Sequence, residues 1–187
     1  MKHLMTACCF FLASLAGYAQ AKAIPLDKSP LDVCYFPDNY PKLKIQGKAS
    51  DPLMARVIYS RPGKDGRVVF GELIAFGKLW RLGANEATEI EFFQNVKIGN
   101  DKVKQGRYTM YTIPEAGNWT VIFNKENDTW GSYGYDAKKD IAKIIVPVQS
   151  ITESVELFTI DMDKINNGFN LNISWDNTKI SLPIYLQ

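Results

Sequence analysis

From Ala55 onward the chain is a succession of short runs in which apolar and polar side chains alternate, each closed by Gly, Pro, Asn or Asp. A period of two sends successive side chains to opposite faces of a strand, and no helix can satisfy it. Ala55, Val57 and Tyr59 fall on one face of such a strand, with Arg56, Ile58 and Ser60 on the other. Ile90 and Phe92 alternate with Glu89 and Glu91, as in a strand buried on one side. Val96 to Ile98 and Lys102 to Val103 flank Gly99-Asn100-Asp101, a hairpin signal, and Tyr108 to Ile113 and Trp119 to Asn124 flank a second, Pro114 to Gly117. Further strands are predicted at Ala142 to Val148, Val155 to Asp161, Phe169 to Trp175 and Ile180 to Leu186, with turns at Asn166-Asn167-Gly168 and Asp176-Asn177-Thr178. Evenly spaced short strands rich in Val, Ile, Thr, Tyr and Phe predict an all-β chain, an antiparallel β-sandwich or jelly roll. Helix has little room; a turn of it fits within Asp136 to Lys143.

The amino terminus follows a different rule. Lys2 and His3 precede an apolar stretch, Leu4 to Ala16, and small residues follow around Ala19 and Ala21. At roughly 13 residues the stretch is too short to span a bilayer as a helix, and its flanks match a secretory signal peptide over residues 1–20. Cys8 and Cys9 lie inside the apolar run, too early for a lipid-anchored cysteine. The expectation is an exported protein, periplasmic or extracellular, with no transmembrane segment after cleavage. Residues 21–41, punctuated by Pro25, Pro30, Pro37 and Pro41, read as an irregular lead-in, and residues 42–187 as one β-sandwich domain.

Cleavage narrows the chemistry. His3 is the single histidine and leaves with the signal, so no imidazole remains for general base catalysis, for zinc or for a Ser-His-Asp triad. Cys34 is the one cysteine left, so an intrachain disulfide is impossible, and without a histidine beside it a structural thiol is expected. No metal and no cofactor are predicted. The net charge is +2, the loss of Lys2 leaves +1, and no basic tract is present, which argues against a nucleic-acid partner. Asp161-Met162-Asp163 before Asn166-Asn167-Gly168 lacks calcium-loop spacing and reads as a turn between strands.

Two polar segments break the sandwich pattern, Tyr59 to Gly71 and Trp80 to Thr88. In the first, Pro62-Gly63 opens a turn that closes at Gly66. Arg61 and Arg67 either flank that loop and pair internally or, with Lys64, form a rim for an anion, since a guanidinium fork matches carboxylate or phosphate. In the second, Trp80 is expected in the core, Arg81 and Glu86 as a buried ion pair, and Gly83 and Asn85 at turn positions with positive φ. Asn85, Glu86 and Thr88 also offer amide, carboxylate and hydroxyl together, a set suited to a polyol or a peptide. A glycosidase would need Glu86 and a second carboxylate such as Glu72, Glu89 or Glu91 to converge. Trp130-Gly131-Ser132-Tyr133-Gly134-Tyr135 is expected to fold over the sandwich edge with its rings buried; exposed, they would suit the faces of sugars.

These residues carry a resemblance. Tyr59-Ser60-Arg61-Pro62, Gly66-Arg67 and Trp80-Arg81-Leu82-Gly83-Ala84-Asn85-Glu86-Ala87-Thr88 are similar to the signature of a secreted bacterial family, domain of unknown function twenty-nine-eleven. The likeness runs from about Lys44 to Leu186 and takes in Gly106 to Pro114, Trp119 to Asn124, Trp130-Gly131, Val155 to Thr159 and Trp175. Asp65 stands where the family usually has a basic residue, which weakens an anion rim there. The resemblance implies export and supplies no reaction. The residues themselves point to binding of a carbohydrate or another small polar or anionic ligand at the cell envelope, through Arg61, Arg67, Arg81, Asn85 and Glu86. A histidine-free hydrolase using Glu86 and a purely structural or interaction role of the envelope are the alternatives.

Overall fold

The computed structural model describes residues 23–187; residues 1–20, expected to be a signal peptide, lie outside them. Two antiparallel sheets face each other. The first has the order β1-β2-β3-β6-β7-β8: Leu31–Phe36, Ala55–Ser60, Glu89–Phe92, Gly106–Pro114, Asn118–Asn124 and Asp140–Pro147. The second has the order β5-β4-β10-β9: Asp101–Val103, Val96–Ile98, Gly168–Leu186 and Gln149–Ile165. Among the described residues, helix is confined to α1, Tyr40–Ile45, and a 3₁₀ turn at Ala137–Lys139 inside the segment that left room for one. Among the described residues no helix is long and apolar enough to cross a membrane.

The alternation in the sequence becomes the two faces of the first sheet. Ala55, Val57 and Tyr59 are buried together with Ile90 and Phe92, whereas Ile58 is exposed on the outer face. The inner faces meet in a core that includes Met110, Val121, Phe123, Phe158, Ile160, Leu171, Ile173, Ile180 and Leu182. At one end this core is almost wholly aromatic. Trp80 packs 5.9 Å from Trp119 of the first sheet and 6.0 Å from Trp175 and 5.2 Å from Phe158 of the second, with Phe70 4.9 Å from Trp119. Trp80 and Phe70 belong to no strand. They come from residues 61–88, a long strand-free connection between β2 and β3 that thrusts two rings between the layers. Each aromatic pair of this kind adds about 0.5–1.5 kcal/mol beyond the area it buries. That is what holds so long a connection in one conformation.

Two segments differ from the sequence reading. Leu31–Phe36, inside the supposedly irregular lead-in, is an edge strand paired residue for residue with β2, from Leu31 opposite Ser60 to Phe36 opposite Ala55. Prolines at 30 and 37 hide it, but they sit just outside the ladder, where an edge strand tolerates them. The turn expected at Asp176-Asn177-Thr178 is instead a pair of register shifts within one long strand, opposite Val155 and Ser150. Asp176 takes φ 52° there, and each bulge bends β10 without ending it. The β9–β10 hairpin curls so far that Leu186 donates its N–H to the Asn167 carbonyl, 2.9 Å away, at the hairpin's own tip. A Cβ on Gly168 would run into the Ile184 carbonyl oxygen.

Candidate functional site

The first polar segment is stitched into the fold. Lys64, Asp65, Gly66 and Arg67 form a turn closed by the Arg67 N–H to the Lys64 carbonyl at 3.1 Å, with φ 50° at Asp65 and 73° at Gly66. Positive φ at both central residues is the geometry that Asp-Gly adopts without strain. It also explains aspartate where a basic residue is usual. The Arg67 side chain donates back to the Lys64 and Gly63 carbonyls at 2.8 and 2.6 Å. Lys64 reaches Asp176 at the bulge of β10 at 2.5 Å. Arg61 joins the two sheets: its Nη1 lies 2.9 Å from Asp32 on β1, its Nη2 2.9 Å from Thr159 on β9, and its Nε donates to the Phe158 carbonyl at 3.2 Å. The donors that would have made an anion rim thus have internal acceptors.

The second segment is wound more tightly still. Leu82, Gly83 and Asn85 all have positive φ, at 61°, 144° and 56°. The carbonyls from Arg81 to Asn85 are each claimed. The Arg81 oxygen accepts the Thr88 N–H at 3.1 Å, the Leu82 oxygen the Thr88 hydroxyl, and the Gly83 oxygen the Trp80 indole N–H at 3.1 Å. The Ala84 oxygen accepts the Ser60 hydroxyl at 2.5 Å, and the Asn85 oxygen the Gly131 N–H at 2.9 Å. Buried backbone acceptors are costly to leave unmade. Trp80, Ser60 and Thr88 therefore serve the loop, and Trp80 lies in the core as its size predicts.

What remains outward is Arg81, Asn85 and Glu86. The buried ion pair between Arg81 and Glu86 does not form. Between them Leu82, Gly83 and Asn85 turn the backbone through positive φ, so the two residues do not share a regular strand. Glu86 is exposed and its backbone bridges to that of Trp130 in antiparallel fashion. The Ala87 N–H reaches the Thr129 carbonyl at 3.0 Å, so the two loops are laced together there. Arg81 runs instead alongside Gly131; its Cδ lies 3.9 Å from where a Cβ on that glycine would be. Half-buried, it has no hydrogen-bond or ion-pair partner among the described residues, its Nε is sealed from solvent, and burial lowers its pKa.

The aromatic loop departs from expectation as well. Trp130 is 61 % exposed and Tyr133 92 % exposed, and only Tyr135 turns inward, its ring 5.1 Å from that of Tyr111. Tyr135 joins a small cluster with Tyr111, Ile122 and Ala87, separate from the core that holds Trp80, Trp119 and Trp175.

Beneath Trp130 runs a cleft of about 290 Å³, with Leu31 and Ile58 as its apolar floor and Glu86, Glu89, Asp128 and Thr129 among its walls. An adjoining hollow of about 370 Å³ shares Leu31, Glu86 and Trp130 and adds Asp27, Ser29 and Asn85. Asn85 donates to Asp27 at 3.1 Å. Glu89 and Asp128 are bound to Arg107, at 3.3 and 2.7 Å, and these partners hold the guanidinium's pKa above its usual value, the Asp128 hydrogen bond most of all. Glu86 has no such counter-ion among the described residues. Of the predicted site residues, Glu86 lines this cleft and Asn85 the adjoining hollow, while Arg81 lines neither and runs beside Gly131. Arg61 and Arg67 do not line the cleft. Sequence reasoning missed Leu31, Ile58, Asp128 and Thr129. The one signal was Ile58, an apolar residue on the polar face of its strand.

Residues 41–184 match the family model described as a protein of unknown function, DUF2911. The chain belongs to the DUF2911 family. No curated protein and no solved structure matches it. Within this DUF2911 chain the signature divides in two: Ser60, Arg61, Trp80, Gly83 and Thr88 lock loops, while the half-buried Arg81 and the exposed Glu86 have no ion-pair partner among the described residues.

Proposed function

We propose that this DUF2911 protein is an exported, non-catalytic binder of carbohydrate at the cell envelope, and that the cleft beneath Trp130 is its site. The observation that carries the reading is an exposed indole held rigidly opposite Glu86 by backbone pairing. A fixed aromatic face takes the apolar face of a sugar ring at small entropic cost. The carboxylates of Glu86 and Asp128, the Asn85 amide and the Thr129 hydroxyl supply acceptors and donors for the hydroxyls around it.

Trp130 also provides the test. The other three tryptophans are at most 4 % exposed, so quenching by acrylamide reports mainly on Trp130. Titration with oligosaccharides from envelope and plant-wall polymers should protect it and shift its emission to the blue, and isothermal calorimetry should show binding lost in Trp130→Ala without a change of fold. A full panel with no protection would defeat the proposal. A second reading rests on the grouping of Glu86, Glu89 and Asp128 in one cleft, which would suit a glycoside hydrolase. Product formation by the native protein, lost in Glu86→Gln, would establish it over simple binding.

A further inference from the structure

A guanidinium taken partly out of water, with no hydrogen-bond or ion-pair partner among the described residues, is an expense that folding alone does not explain. The chain has five arginines, and four of them are ion-paired, to Glu91, Asp32, Asp65 and Glu89 with Asp128. Arg81 is the exception. It sits in a loop where successive carbonyls all have donors, so its open valence is not a sign of loose structure. Burying a charged group without a partner costs free energy that a partner from outside can return. The geometry also fixes where that partner would lie. The Arg81 stem runs beside Gly131, the residue that follows Trp130, and the Tyr133 ring comes within 3.0 Å of the position a Cβ on Gly131 would take. Trp130 itself lines the cleft together with Glu86 and Asp128.

We infer that Arg81, beside the Trp130–Gly131 turn, is an anion subsite, and that the carbohydrate taken by the cleft is an acidic one, bearing a carboxylate. The inference rests on the carbohydrate reading above. A planar carboxylate meets the fork of a guanidinium in two parallel hydrogen bonds, which an ammonium cannot reproduce. Glu86 repels the same group, so the sugar lies in one direction across the indole, with its acid toward Arg81 and its hydroxyls toward the cleft. The carboxylates of the cleft thereby set orientation and Arg81 selects the charge.

The experiment compares oligogalacturonides, oligoalginates and glucuronate-bearing oligosaccharides, each with its carboxyl-reduced counterpart and with a sulfated neutral oligosaccharide, by acrylamide protection of Trp130. The acidic forms should bind about tenfold or more tightly than the reduced ones, and added salt should narrow the gap. Arg81→Ala should remove the preference and leave the weaker binding of the reduced forms intact, while Arg81→Lys restores only part of it. Arg81→Met keeps the stem against Gly131 and carries the comparison should the alanine variant loosen the loop. Equal binding of acidic and reduced forms overturns the inference while leaving the carbohydrate site standing, as does a preference that survives in both variants. Tighter binding of the sulfated form than of any carboxylate also overturns it. No protection by any oligosaccharide overturns the carbohydrate reading and the subsite together.

Discussion

Gly83 is where the signature loop has least tolerance, and three glycines allow the reason to be measured. At Gly83 φ is 144°, and an added Cβ would lie 3.0 Å from the Ser60 carbonyl oxygen and 3.7 Å from the Thr88 hydroxyl. At Gly66 φ is 73° and nothing lies within 4 Å of the added atom; at Gly117 there is neither positive φ nor a neighbour. Replacing Gly117 by Ala should change stability by less than about 1 kcal/mol, in the favourable direction through the unfolded chain. Gly66→Ala adds the left-handed penalty alone, about 1–2 kcal/mol. Gly83→Ala adds a backbone conformation worth about 1–3 kcal/mol. It also pushes the loop away from Ser60, and losing the Ser60 bond to the Ala84 carbonyl at 2.5 Å adds about 1–3 kcal/mol for a stranded acceptor. The sum, about 2–6 kcal/mol, corresponds to a fall in Tm of roughly 4–24 °C for a domain of this size. Urea denaturation followed by far-ultraviolet circular dichroism, with Cm compared at constant slope, measures all three. A Gly83→Ala variant as stable as Gly66→Ala would refute the claim that contact with Ser60, beyond φ, fixes the loop.

Two further outcomes follow from the shifted groups. The Cys34 thiol is pushed up to about 12 by burial and then by the nearby Asp161 and Asp32 carboxylates, so it stays protonated at pH 8. Peptide mapping after thiol-specific labelling should find Cys34 unmodified in the folded protein and fully modified in urea; rapid labelling of the native state would contradict this. The Asp176 carboxyl is held below its usual range, chiefly by its hydrogen bond from Lys64. A folded pKa below the unfolded value of about 3.9 means stability that is complete above that pH and lost as the pH falls through the folded value. Asp176→Asn should therefore lower stability at pH 7 and flatten its acid-side decline, read as Cm between pH 2 and 7.

How far the sequence could be read depended on where its constraints were local. The alternation of Ala55, Val57 and Tyr59 against Arg56 and Ile58 announced a half-buried strand, because side-chain direction in a strand follows from position alone. The hairpins at Gly99-Asn100-Asp101 and Pro114 to Gly117 were equally plain. Asp176 was misread because aspartate with positive φ suits a bulge as well as a turn, and only the partner strand distinguishes them. Leu31–Phe36 was missed because its pairing is entirely with β2. At the site, the turn residues Gly83 and Asn85 were legible, but the partners of Arg61 are not. Asp32 and Thr159 lie 29 and 98 positions away, and no short-range pattern links them. The exposure of Trp130 was hidden for a related reason: its surroundings come from Leu31, Ile58 and Glu86, far from it in sequence.

The curl of the β9–β10 hairpin has a consequence for the order in which the molecule can assemble. Ile184, Tyr185 and Leu186 pair with Ile98, Lys97 and Val96, and the same stretch covers the hairpin tip at Asn167. The Tyr59 hydroxyl bond to the Ile160 carbonyl likewise joins residues 101 positions apart. Contacts of such long range are reached only after large loops have closed, which slows folding relative to chains built from neighbouring contacts. A nascent chain stopped short of Ile184 leaves β4 and β5 without their neighbour in the second sheet, and the aromatic end of the core lacks Trp175 until β10 is made. The second sheet and the aromatic end of the core therefore close only once β10 is in place.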